Sequence, residues 1–204
     1  MEKGTGKYPE KICSFLAFDT ETTGLPGREN TRLIEIAWVK GTFSSRYAET
    51  KEYLIKPKGM MVPQNITELN GITDEMLCTS GIPIRDALKA FSDAVRSCDC
   101  VIAHNMAFDR AIISEECFRV GMPNPLNSAR LLCTMTAGVA YECNQNKRPK
   151  RKTISLINLH ASIFGKAPTV THRALPDAIS CARCAWVLAQ SNAFPENFVF
   201  CNQG

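Results

Sequence analysis

Three strand-like runs follow one another near the start of this chain, and from Pro83 the hydrophobic period turns helical; that order is the strongest constraint on its fold. The runs are Ile12 to Thr20, Arg32 to Lys40 ("RLIEIAWVK") and Tyr47 to Ile55, separated by short turn-like segments holding Gly24, Pro26, Gly27 and Gly41. Such spacing predicts an antiparallel meander. From Pro83 onward, Ile84, Ala87, Leu88, Phe91 and Val95 recur near spacings of three and four, the period of an amphipathic helix. A short strand, Val101 to Ala103, comes next, then a helix from Ala107 to Val120 stopped by Gly121 and Pro123. Two further helical patterns span Ile154 to Phe164, closed by Gly165, and Leu175 to Gln190. The second is expected to bury Leu175, Ala178, Ile179, Ala182, Ala185, Trp186 and Ala189 on one face. Strands first, then helices alternating with a strand, predict an α/β fold with helices packed on a mixed sheet.

With 204 residues, 45% of them hydrophobic, the chain is long enough for one domain with a real core. The organisation expected is a flexible arm over residues 1–11 and a single domain over 12–204. An exposed loop near 142–153, "ECNQNKRPKRKT", interrupts that domain and carries Lys147, Arg148, Lys150, Arg151 and Lys152. This basic cluster suits contact with nucleic-acid phosphates, a nuclear-localisation-like signal or a solvated loop. The overall balance, 24 Lys and Arg against 20 Asp and Glu, permits a polyanionic partner without demanding one.

No apolar run approaches the roughly 20 residues of a membrane span, and the polar "MEKGTGKYPEK" ahead of the first apolar run is unlike a secretion leader. The ten cysteines, most of them inside apolar stretches, are therefore expected to be reduced in an intracellular protein, cytoplasmic or nuclear and not secreted. Cys181 and Cys184 form a CxxC and Cys98 and Cys100 a CxC, but without a matching second pair core positions are favoured over a zinc site.

The chemistry is concentrated in acids. "SFLAFDTETTGL" ends a buried-looking strand in Asp19 and Glu21, which as i and i+2 point to one face. A cation is the natural relief for that repulsion, and with no His or Cys nearby Mg²⁺ or Mn²⁺ fits better than zinc; an ordinary solvated strand end is the alternative. "VIAHNMAFDRAII" puts Asp109 in the first turn of a helix, where it serves equally as a partner of the helix dipole. "THRALPDAISCA" adds His172 and Asp177. Five residues turn an α-helix through about 140°, so these two could not face one site from inside a single helix. Pro176 starts that helix near Ala174 or Leu175, which leaves His172 in the preceding loop, free to reach a carboxylate on the first turn.

Taken in order, "FDTETTGL", "AHNMAFD" and "HRALPD" resemble the three motifs of the DnaQ-like, DEDDh 3′–5′ exonucleases, and "ELNGITDEML" resembles the family's segment between the first two. The resemblance spans about residues 12 to 190. It implies a ribonuclease H-like fold, a mixed five-stranded sheet of an antiparallel meander plus parallel strands, flanked by helices. It further implies two Mg²⁺ or Mn²⁺ ions held by Asp19, Glu21, Asp109 and Asp177, with His172 as general base. The expected reaction is hydrolysis of nucleic acid, single-stranded DNA ahead of RNA, from the 3′ end to nucleoside 5′-monophosphates.

By the same resemblance Thr20, Thr23, Gly24, Leu25, Asn70, His104, Asn105 and Phe108 would hold the terminal nucleotide, although Leu25 and Phe108 would equally suit a core and His104 a satisfied strand end. Whether the enzyme works alone or with a polymerase or another replication or repair protein stays open, and no membrane partner is expected. The chain departs from the usual pattern at Cys133-Thr134, where members often carry Asp-Thr, and at Met106, often alanine. A non-catalytic nucleic-acid-binding or polymerase-associated module on the same fold is the second reading; the presence of all five catalytic residue types favours the enzyme.

Overall fold

The computed structural model describes residues 11–45, 48–56, 59–145, 152–169, 172–195 and 198–201. Five strands form one sheet in the order β3-β2-β1-β4-β5: β1 (Ser14–Thr22), β2 (Leu33–Thr42), β3 (Ala48–Leu54), β4 (Cys100–Ala103) and β5 (Leu131–Cys133). The first three make the expected antiparallel meander, and β4 and β5 join in parallel. Among the described residues there are seven α-helices: α1 (Gln64–Asn70), α2 (Asp74–Ser80), α3 (Ile84–Arg96), α4 (Met106–Val120), α5 (Thr134–Asn144), α6 (Leu156–Phe164) and α7 (Ala174–Gln190).

β1 lies at the centre of the sheet, covered on both faces, which is why "FLAF" reads as a continuous apolar run rather than an alternation. Its side chains still alternate. Phe15 and Ala17 enter a core shared with Ala178, Cys181, Ala185 and Leu188 of α7 and Leu159 of α6. Leu16 and Phe18 enter the other core, with Leu88 and Phe91 of α3 and Ile112 and Ile113 of α4. By parity Asp19 and Glu21 belong to the α7 face and Thr20 to the α4 face. β3, "AETKEYL", lies at the sheet edge with five exposed residues in a row, charged as a solvent-facing edge must be to resist further pairing.

Several expectations need correction. The loop expected from residue 142 starts later, because α5 runs on through Asn144 and buries Glu142; "TMTAGVAYECN" has no strong apolar stripe to announce a helix. Residues 1–10 of the expected arm and 147–151 of the basic loop lie outside the described residues, while Lys152 is exposed. On α7 the buried stripe runs through Ala174, Ala178, Cys181, Ala182, Cys184, Ala185, Leu188 and Ala189, whereas Ile179 and Trp186 are exposed. Small residues occur all round this helix, so hydrophobicity alone mis-set the face, and the two cysteines belong to its core.

Cys13 and Cys201 are joined in a disulfide across 188 residues, against the expectation of ten reduced cysteines; the other eight are free. Their proximity is a tertiary effect. Phe200 packs on Phe43 and Phe194 and pairs with Ile12 in a parallel bridge, which lays residue 201 beside residue 13. No helix among the described residues is long and apolar enough to cross a membrane.

Candidate active site

Asp19 and Glu21 stand at the carboxyl end of β1, where the pairing with β2 shifts register between Glu21 and Thr22. Asp177 arrives from the first turn of α7, the helix that covers this face of the sheet. Oxygens of Asp19, Glu21 and Asp177 lie within 4.8 Å of one another. His172 lies before α7, as the Pro176 reading requires, in the left-handed region at φ 60. Its backbone N–H donates to Asp177 Oδ2 at 2.9 Å.

Asp109 is 2% exposed on the first turn of α4 and accepts a 2.7 Å hydrogen bond from the Thr20 hydroxyl, which comes from the opposite parity of β1. Thr20 thus ties the second motif to the first. This carboxylate stands next to the trio rather than inside it, close enough for its charge to act on Asp19.

The electrostatics are those of a site built for a cation. Burial, and then the charges of Asp109, Asp177, Glu21 and Glu35, hold Asp19 well above the ordinary aspartate range. Burial raises Glu21, opposed by the Asn70 hydrogen bond, and raises Asp177, opposed by the His172 N–H. Asp109 is pushed up to about 7 by burial, against the bond from Thr20. His172 lies close enough to oppose the rise at both Glu21 and Asp177. All the donors are hard oxygens and, among the described residues, no thiolate or imidazole shares the cluster, a set that fits Mg²⁺ or Mn²⁺.

The residues expected around a terminal nucleotide divide by their partners. The turn after Glu21 is laced by its own hydroxyls: Thr22 to the Gly24 carbonyl at 2.7 Å, Thr31 to the Leu25 carbonyl at 2.7 Å, and Thr23 accepting from the Arg32 N–H at 2.9 Å. A Cβ at Gly24 would stand 3.1 Å from the Thr31 hydroxyl, so the turn is closely packed there. Leu25 is 58% exposed at its tip and is no core residue. Phe108 is half-buried against the α3–α4 core. Asn105 precedes α4 at φ 66, half-buried.

Asn70 is buried and holds Glu21 Oε2 with its amide at 3.1 Å, while its oxygen accepts from the Ile72 N–H at 3.0 Å. His104 has both ring nitrogens engaged, Nδ1 with the Thr134 hydroxyl and Nε2 with the Ile154 carbonyl, each at 2.9 Å. The carbonyl can only accept, so Nε2 carries the proton, and burial lowers the imidazole to about 4. His104 thereby fastens the end of β4 to the segment before α6. His104→Ala is expected to unpair both groups and cost about 1–3 kcal/mol at pH 7, read as a lower urea midpoint. A neutral imidazole contributes stability above the ordinary histidine value that is lost as pH falls through about 4, so the deficit should shrink towards pH 4. An unchanged midpoint at pH 7 would show that the two bonds contribute nothing.

Glu35 and Arg173 are the residues that sequence reasoning missed. Glu35 is fully buried and sits directly opposite Glu21 in the β1–β2 register; Arg173, the residue after His172, pairs with Glu35. The signal was present, because a lone acid inside "LIEIAWV" cannot be buried without a partner. A cleft of about 670 Å³ between Lys11, Arg96, Asp99 and Arg130 lies at the amino-terminal ends of β1 and β4, away from Asp19, Glu21 and Asp177.

The model of a protein family described as Exonuclease (RNase_T) matches residues 16–184. The chain is 30% identical over 188 residues to a DNA polymerase III PolC-type protein of Listeria monocytogenes, covering 92% of this chain and 12% of that protein. It is 29% identical over 142 residues to a DNA polymerase III subunit epsilon-like protein of Rhodobacter capsulatus, covering 68% of this chain and 20% of that one. The chain therefore spans a fifth or less of the length of these relatives. Among solved structures it is similar to E. coli Exonuclease I in complex with a dT13 oligonucleotide, with a TM-score of 0.72 at 15% identity over 86% of this chain and 41% of that one. The ribonuclease H-like fold expected from the motifs is the fold observed.

Proposed function

The chain belongs to the exonuclease family, in its DnaQ-like branch, and from that premise we propose that it is a metal-dependent 3′–5′ exonuclease acting on single-stranded nucleic acid, DNA before RNA. The observation that carries this reading is the convergence of Asp19, Glu21 and Asp177 within 4.8 Å, with Asp109 beside them. Carboxylates contributed by three separate motifs have no structural reason to meet, and together they destabilise one another. The same convergence disfavours a non-catalytic module.

In the proposed site Asp19, Glu21 and Asp177, with Asp109 beside them, would hold the divalent ions. Bound there, the ions supply the positive charge that an in-line displacement at phosphorus develops a need for, on both the attacking and the leaving oxygen. His172, on its loop beside Asp177, takes the proton of the attacking water. The new P–O bond forms as the bond to the 3′ oxygen of the preceding nucleotide breaks, so a nucleoside 5′-monophosphate leaves and the strand keeps a 3′ hydroxyl. Thr20 and Asn70 hold Asp109 and Glu21 in place through hydrogen bonds. Leu25, exposed on a turn fixed by its own hydroxyls, offers an apolar face to the terminal base, with Phe108, Asn105, Thr23 and Gly24 completing the pocket.

The E. coli relative bound to dT13 supports single-stranded DNA as substrate, and the polymerase III names of the homologues support a polymerase or repair partner. We take residues 12–204 as one domain and its basic loop as a phosphate contact, in an intracellular protein.

Digestion of 5′-end-labelled single-stranded DNA and RNA with Mg²⁺, Mn²⁺ or EDTA tests the reading. The expected result is a ladder that shortens from the 3′ end, mononucleotide product, and silence in EDTA. Full activity in EDTA, digestion only from the 5′ end, or metal binding without nucleotide release would overturn it.

A further inference from the structure

Among the described residues, the Glu35 carboxylate takes its hydrogen bonds from residues 173 and 174. The Arg173 Nε lies 3.1 Å from both carboxylate oxygens and Nη2 lies 2.5 Å from Oε1, while the backbone N–H of Ala174 donates to Oε2 at 2.8 Å. The Glu35 side chain is 0% exposed and that of Arg173 29%, with Glu52 3.7 Å away as a second, looser partner of the arginine. Glu35 therefore caps the start of α7 from β2 and, through the fork, grips the residue that follows His172. From the other side Asp177 Oδ2 accepts the N–H of His172 itself. Two carboxylates on two different elements thus hold three consecutive residues.

A histidine at φ 60 occupies a sparsely populated conformation, which persists only where the surroundings over-determine it. The contacts at 172–174 are that over-determination. A buried ion pair is poor evidence of a contribution to stability, since apolar residues of like volume often do as well or better. The pair also faces a cost of its own, because Glu35 stands opposite Glu21, and an unpaired charge there would add to the repulsion among the acids. Arg173 offsets that charge where it arises.

We propose that Glu35 and Arg173 are positioning residues, a buried fork that locks residues 172–174 and so determines where His172 stands relative to Asp19, Glu21 and Asp177. This inference rests on the exonuclease reading above, with His172 as the proton acceptor. It assigns no contact with substrate to either residue. It requires the fork itself and not merely a positive charge, because a lysine ammonium cannot bond both carboxylate oxygens and keep the planar register of a guanidinium.

The test compares Arg173→Lys and Glu35→Gln with wild type, using Glu52→Gln as control, on a single-stranded oligonucleotide under conditions where circular dichroism reports each protein folded. Misplacing a proton acceptor by about an ångström costs on the order of 10²-fold, so kcat should fall by about that factor in both fork variants. KM and the Mn²⁺ dissociation constant should stay within about twofold, since the groups assigned to those functions are untouched. Glu52→Gln should match wild type. A folded Arg173→Lys protein with wild-type kcat would overturn the proposal, as would a loss of kcat matched by an equal loss of metal affinity.

If neither fork variant folds, hydrogen exchange on the unmutated protein decides. The amides of His172 and Ala174 should be protected, and exchange at the rate of an unstructured chain would refute the lock. A wild type that releases no nucleotide would count against the exonuclease reading, and would leave the lock to stand or fall on amide exchange.

Discussion

Asp19→Asn is expected to release no nucleotide at any metal concentration, while its metal-free form melts at a higher temperature than metal-free wild type. Both effects have one cause. Asp19 is held well above the ordinary range by burial and by Asp109, Asp177, Glu21 and Glu35. An acid whose folded value is raised contributes stability that is fully present below its unfolded value, near pH 4, and lost as pH rises through the folded value. In EDTA the native state of wild type therefore loses stability as pH rises, a loss that asparagine, which cannot ionise, does not share.

With metal the order should reverse. A ligand that binds only the native state adds about 2.7 kcal/mol at a hundred times its Kd, roughly 5–10 °C in Tm for a chain of this size; wild type should gain it and Asp19→Asn little. Calorimetry from pH 5 to 8, with EDTA and with Mn²⁺, checks this. An equal metal-induced rise in both proteins would show that Asp19 holds no ion.

His172→Ala should lower turnover by about 10²–10⁴, the usual contribution of a positioned proton acceptor, with metal and substrate binding nearly intact. Turnover of wild type should rise with pH, as a general base requires, and that limb should be absent from the variant. Because alanine tolerates φ 60 poorly, His172→Asn is the sharper companion, since asparagine enters the left-handed region with less strain. If the histidine served only to shape the start of α7, asparagine would restore turnover and alanine would lose metal affinity in step with activity. A folded, metal-binding asparagine variant with wild-type kcat and an intact pH limb would falsify the general-base role.

The sequence carried the order of the elements and the identity of the reacting groups. Both are local properties. An apolar run ending in Asp19 and Glu21 can be recognised from period 2, a helix beginning near Ala174 from Pro176, and Asp109 from its place after a short strand. Even the face on which Asp19 and Glu21 stand follows from parity, once Phe15 and Ala17 are known to lie under α7.

What the sequence could not supply was everything that depends on which face meets which. From its motif Thr20 is expected at the substrate, and only the fold shows its hydroxyl donating to Asp109; His104 and Asn70 likewise have protein partners. The stripe of α7 was set by hydrophobicity and shifted by packing, because alanine and cysteine suffice where a helix lies close on a sheet. Cys13 and Cys201 met because Phe200 found Phe43.

The sharpest division is at Glu35. From sequence alone it is one acid in an apolar strand, and only the docking of α7 across β2, 138 residues later in the chain, brings Arg173 and the Ala174 N–H to it. The chain's own pattern determined which carboxylates are available, since charge and period are written residue by residue. Tertiary structure decided which of them stay free for a cation and which are consumed by a partner, since a buried carboxylate is stable only where the fold delivers a donor to it.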